Sequence, residues 1–68
     1  SREELDKTRK IITDLYQYLL KTPGDYIKPY PQGDSLEKRV GDFIAGMSDS
    51  YALALYEKLF FPHSWPTL

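Results

Sequence analysis

Arg39, Asp42, Asp49 and His63 are the residues of this 68-residue sequence whose types could do chemistry, and their number and spacing limit what that chemistry is. A metal centre needs several convergent His, Cys or carboxylate ligands, whereas the chain offers one His, in a proline-flanked tail, and no Cys. His63 therefore reads as a surface or loosely packed imidazole. Nucleophilic catalysis fails for the same reason, because the Ser and Thr hydroxyls have only His63 as a base. Asp42 and Asp49 stand seven residues apart, which on one uninterrupted helix would place both on one face as an acid and base pair. A break predicted between them spoils that register. Asp49 then reads as a helix N-cap, and Asp42 as a solvent-facing carboxylate or one paired with Arg39. Arg39 could grip a phosphate or carboxylate through its planar fork, although a single exposed arginine is ordinarily just solvated. It is the one candidate for a binding role, and no residue of the sequence is expected to be catalytic, metal-ligating or cofactor-binding. Tyr16, Tyr18, Phe43, Tyr51, Tyr56, Phe60 and Phe61 recur at helical spacing, so their default role is core or partner interface.

Composition narrows the setting. A chain of this length buries only a modest core, so one small domain is the most it can form, and without cysteine it has neither disulfides nor a Cys-based zinc site as a staple. Stability must come from neat helix packing or from a larger host. Nine Lys plus Arg against ten Asp plus Glu give a formal charge of −1, which argues against a duplex nucleic-acid surface. No apolar run reaches the roughly 18 residues of a membrane span, and the polar start is not a signal peptide, so a cytoplasmic setting is expected. The first residue is Ser and not Met, which leaves room for a chain excised from something longer.

The elements that must position these residues are helices. Leu5, Ile12, Leu15 and Leu19, widened by Ile11, Tyr16 and Leu20, follow the three-and-four spacing of an amphipathic helix over 2–21, with Ser1 and Glu4 at capping-box spacing. Pro23 ends it. Pro23, Gly24, Pro29, Pro31 and Gly33 then rule out a helix, while Tyr26, Ile27 and Tyr30 give the segment apolar surface, which predicts an ordered crossover loop. Asp34 or Ser35 caps a second helix over 35–46, with Glu37 in the capping position and Leu36, Val40, Phe43, Ile44 and Met47 on its buried face. Gly46 either ends that helix or admits a second backbone closely. Ser48, Asp49 and Ser50 are all good caps for a third helix over 49–61, striped by Tyr51, Ala52, Leu55, Tyr56, Leu59 and Phe60. The fold class is all-α, with no strand-like alternation and no internal repeat.

The run Arg-Val-Gly-Asp-Phe-Ile-Ala-Gly-Met-Ser-Asp-Ser-Tyr-Ala-Leu from Arg39, followed by Leu-Tyr-Glu-Lys-Leu-Phe ending at Phe60, resembles the C-terminal signature of the dGTP triphosphohydrolase (dGTPase) branch of the HD-domain phosphohydrolases. Ile11 to Leu20, with Pro23 beyond, resembles the helix and loop that precede that signature. Three departures stand out. Phe43 replaces the usual Tyr, Ser48 keeps the capping oxygen of the usual Thr, and Ser50 replaces the usual Arg. The family's metal-binding part, an early His plus a His-Asp pair and a further Asp, has no counterpart, since His63 is followed by Ser64.

The resemblance implies a single C-terminal helical segment, 1–68, of a larger enzyme whose catalytic HD domain lies outside this chain. The parent would use a divalent metal to split deoxynucleoside triphosphates into deoxynucleoside and tripolyphosphate. This segment would carry no cofactor and would serve packing and oligomerisation, with Arg39 as a nucleotide contact. Its expected partners are the missing HD domain, further copies in a homo-oligomer, and the deoxynucleotide through the parent. A stand-alone helical interaction module and a regulatory paralogue without activity are the alternatives. Three helices cannot hide stripes on both sides of Tyr51 to Phe61, so the chain is expected to expose apolar surface or to self-associate.

Overall fold

The computed structural model describes residues 2–28 and 33–61 and contains three helices among them: α1 (Arg2–Lys21), α2 (Leu36–Ala45) and α3 (Asp49–Phe60). The all-α reading holds, with each helix boundary within about one residue of its expected place. The Ser1 half of the first capping box, Tyr30 with the prolines beside it, and the His63 tail lie outside the described residues.

Local chemistry sets each boundary. Thr22 N–H donates to Tyr18 C=O at 2.8 Å to close α1, and Pro23 cannot continue the ladder. Tyr26 N–H then donates to Pro23 C=O at 3.2 Å, closing a turn in which Gly24 adopts φ +57°, a conformation that strains any residue with a Cβ. Ser35 is the N-cap of α2: its Oγ accepts from Lys38 N–H at 3.1 Å, so the cap is Ser35 and not Asp34. Ser48 caps α3 in the same way, accepting from Tyr51 N–H at 3.1 Å. That corrects the expectation for Asp49, which is the first residue of α3 and supplies a negative charge to its N-terminus. Gly46 ends α2 in right-handed geometry, φ −86°, and a Cβ added there would meet only Asp42 and Phe43 carbonyl oxygens at an ordinary 3.7 Å. Of its two possible roles, helix end is the one found.

α1 is the spine: α2 and α3 both pack against it, and its buried residues, Leu15 and Leu19, lie in its second half. Leu15, Leu19 and Val40 are fully buried, and Ile27, Ile44, Ala52 and Leu55 complete the core. Each full-sized aliphatic among them stabilises the fold by about 1.5–3 kcal/mol. Ile27 belongs to the described part of the crossover loop and is buried in the core, in keeping with the apolar surface expected there.

Amphipathic spacing overstates the stripe. Leu5 is 66% exposed, in a first half of α1 where every residue from Arg2 to Lys10 is exposed, and Ile12 is 36% exposed beside the core. Tyr51, Leu53, Phe60 and Phe61 are likewise exposed.

Candidate functional site

Arg39 projects from α2 toward the crossover loop, where its Nη1 donates to Lys28 C=O. The contact ties loop to helix. Its Nε is buried with no hydrogen-bond partner among the described residues. Around it opens a shallow cavity of about 390 Å³, lined by Tyr26, Lys28, Asp34, Asp42 and Phe43 among others. Two cations and two carboxylates therefore share the cavity, and Tyr26 meets the Phe43 ring at 6.0 Å between centroids. Such a site can bind a group that offers both an acceptor for Arg39 and a flat face. Among its described lining residues there is no Ser, Thr, Cys or His, so the groups it presents are two cations, two carboxylates and aromatic and aliphatic surface.

Asp42 does not pair with Arg39. Its Oδ2 accepts from Lys38 Nζ at 2.8 Å, one turn back on the same helix, and that hydrogen bond raises the Lys38 pKa above its ordinary value. Asp42 and Asp49 fall on different helices, and the break at Gly46 removes the shared face a seven-residue spacing would have given them.

A second polar cluster was only half legible in the sequence. Asp14 Oδ2 accepts from Lys10 Nζ at 3.0 Å and from Tyr56 Oη at 2.9 Å, so α1 and α3 are joined by a partly buried carboxylate. Donation from Lys10, then from Tyr56, holds the Asp14 carboxyl below its usual range, and the bond to Asp14 pushes the Tyr56 phenol up. The four-residue spacing of Lys10 and Asp14 announces half of this cluster; the Tyr56 half spans 42 residues and needs the fold.

The aromatics divide into two groups. Tyr56 stacks on Phe60 at 4.6 Å, with Tyr18 and Phe61 beside them, and Phe43 joins Tyr26 to Tyr51. Their contacts are with one another, which fits core and interface surface better than a ligand box.

Among the described residues no three His, Cys, Asp or Glu side chains come together in a group that could hold a metal ion. No helix of the structure is long and apolar enough to cross a membrane, within the described residues.

Residues 1–58 match the model of a phosphohydrolase-associated domain. The curated relatives include deoxyguanosinetriphosphate triphosphohydrolase-like proteins of three bacteria. That of Caldanaerobacter subterraneus subsp. tengcongensis is 29% identical over 69 residues, covering 96% of this chain and 20% of the relative. Those of Clostridium tetani and Leptospira interrogans are 31% and 39% identical, covering 90% and 79% of this chain but 18% and 15% of the relatives. The chain thus spans about a fifth or less of the length of the curated relatives it matches. No solved structure matches it.

Proposed function

The chain belongs to the phosphohydrolase-associated domain family, and on that premise we propose that it is the C-terminal helical portion of a dGTPase-like enzyme. In this reading the catalytic HD domain lies elsewhere in the polypeptide and holds the divalent metal. The whole protein hydrolyses a deoxynucleoside triphosphate to deoxynucleoside and tripolyphosphate in the nucleotide metabolism of the cytoplasm. This segment packs against the HD domain and helps build a homo-oligomer. The observation that carries the proposal is the family match over residues 1–58, together with relatives about five times as long.

Arg39 is the residue of this chain proposed to meet nucleotide. Its anchoring on Lys28 C=O holds the guanidinium in the cavity lining, and its remaining N–H groups suit a phosphate or a base carbonyl. The test uses purified protein with dGTP and a divalent metal. The full polypeptide is expected to release tripolyphosphate and the 68-residue chain none; release by the chain alone refutes the assignment. Arg39→Lys in the full polypeptide is expected to raise KM about tenfold with the fold intact, since lysine cannot reproduce the fork.

The exposure of Leu5, Ile12 and Leu53 favours one second reading, a stand-alone helical interaction module that docks a partner helix. A reading frame with an initiator Met just before Ser1 selects that reading, and a His-Asp pair upstream selects the enzyme.

A further inference from the structure

Gly41 sits in the interior of α2, where glycine costs about 1 kcal/mol relative to alanine, and among the described residues nothing fills the space it leaves. Apart from its chain neighbours and the backbone of its own helix, a Cβ built there meets no atom of the described residues within 4 Å. The missing side chain opens onto an apolar groove of about 460 Å³ between α1 and α2, walled by Ile12, Tyr16 and Ile44. On the other side of Ile12 lies a second groove of about 220 Å³ between α1 and α3, walled by Ala52 and Leu53. Ile12 is therefore a ridge between two furrows, 36% exposed although it sits beside the core. Leu5, Ile12 and Tyr16 fall within about 40° of one another around the helix, so the ridge continues along α1 onto its overhanging half.

We infer that this face, with Ile12 as its ridge and Gly41 as its close-approach point, is the seat of an apolar helix from the phosphohydrolase portion of the same polypeptide. A ridge flanked by grooves is the complement of another helix surface, and a glycine at the floor lets the incoming backbone come nearer than any side chain would. The occupant is assigned to the same polypeptide because the family is described by its association with a phosphohydrolase and the relatives carry some four-fifths of their length outside the matched segment. The inference rests on the proposed function for the identity of that portion.

The absence of cysteine from this chain supplies the probe. In the full polypeptide, single Ile12→Cys, Leu53→Cys and Ala54→Cys variants are labelled with a maleimide under native conditions and read by peptide mass. Ala54 is exposed and lines neither groove. Positions 12 and 53 are expected to label at least about tenfold more slowly than 54, and adding Gly41→Leu is expected to abolish that difference while helix content stays unchanged. Equal labelling at the three positions overturns the inference. So does protection lost on dilution to monomer, which makes a second copy the occupant, and so does a full gene product without a phosphohydrolase portion. Protection that persists in a protein releasing no tripolyphosphate sinks the assigned activity and leaves the docking face standing.

Discussion

Tyr56 on α3 donates its hydroxyl to Asp14 on α1 at 2.9 Å, onto the same carboxylate oxygen that Lys10 reaches at 3.0 Å. One acceptor thereby holds two helices whose residues are 42 positions apart, and the strength of the tie depends on the carboxylate being ionised.

That dependence predicts a pH profile. Asp14 has a folded-state pKa below its ordinary 3.8, so its contribution is complete above that value and is lost as pH falls through the lower folded value. Tyr56 is shifted the other way: its contribution is complete below 10.0 and is lost as pH rises through the raised value. Urea unfolding followed by circular dichroism is expected to show the wild type more stable than Asp14→Asn near neutrality. The gap should close as pH falls below about 4. A gap that stays constant into strong acid would mean that the carboxylate charge is irrelevant to the tie.

Leu15 and Leu5 lie on the same helix and differ only in what covers them. Leu15 is fully buried, so Leu15→Ala is expected to cost about 2–5 kcal/mol through lost transfer energy and the cavity left behind. Leu5 is 66% exposed, and Leu5→Ala should change the stability of this chain by less than about 0.5 kcal/mol. Comparable losses from the two, measured by thermal melting, would place Leu5 against a neighbour within the chain.

Two glycines separate backbone need from tolerance. Gly24 holds φ +57°, so Gly24→Ala is expected to destabilise by about 1 kcal/mol. Gly46 is right-handed and a Cβ there makes ordinary contacts, so Gly46→Ala should stabilise by about 0.4–1 kcal/mol by restricting the unfolded chain. Destabilisation by both would indicate a close approach at Gly46.

The caps give a third contrast. Ser35→Ala and Ser48→Ala should each cost about 1 kcal/mol, because each hydroxyl satisfies an amide at a helix start. Asp34→Ala should stay within about 0.5 kcal/mol, since Ser35 holds the cap. A larger loss at Asp34 than at Ser35 would reverse the assignment.

How much of this was legible beforehand follows from the range of each interaction. Helix extent is local: the three-and-four spacing of Leu15 and Leu19, Pro23 after the first helix and Ser48 before the third are consequences of sequence neighbours, and the structure keeps them. The involvement of Ile27 in the core was legible too, because apolar residues in a proline-bounded loop have little else to cover them. Side-chain pairing was less so: Asp42 had cations at both 38 and 39, and only the rotation of α2, which turns Arg39 toward Lys28 C=O, decided for Lys38.

By itself the sequence determined an all-helical chain, its break points, and a signature that set its family, because helix propensity, capping and proline geometry act over a few residues. Which half of the α1 stripe is covered was decided by tertiary structure, since a 20-residue helix outreaches partners of 10 and 12 residues and leaves its first turns bare. The Asp14–Tyr56 tie and the furrows on either side of Ile12 have the same origin. Each exists only where two helices cross, and a crossing angle is fixed by packing against a common core, not by the order of residues along either helix.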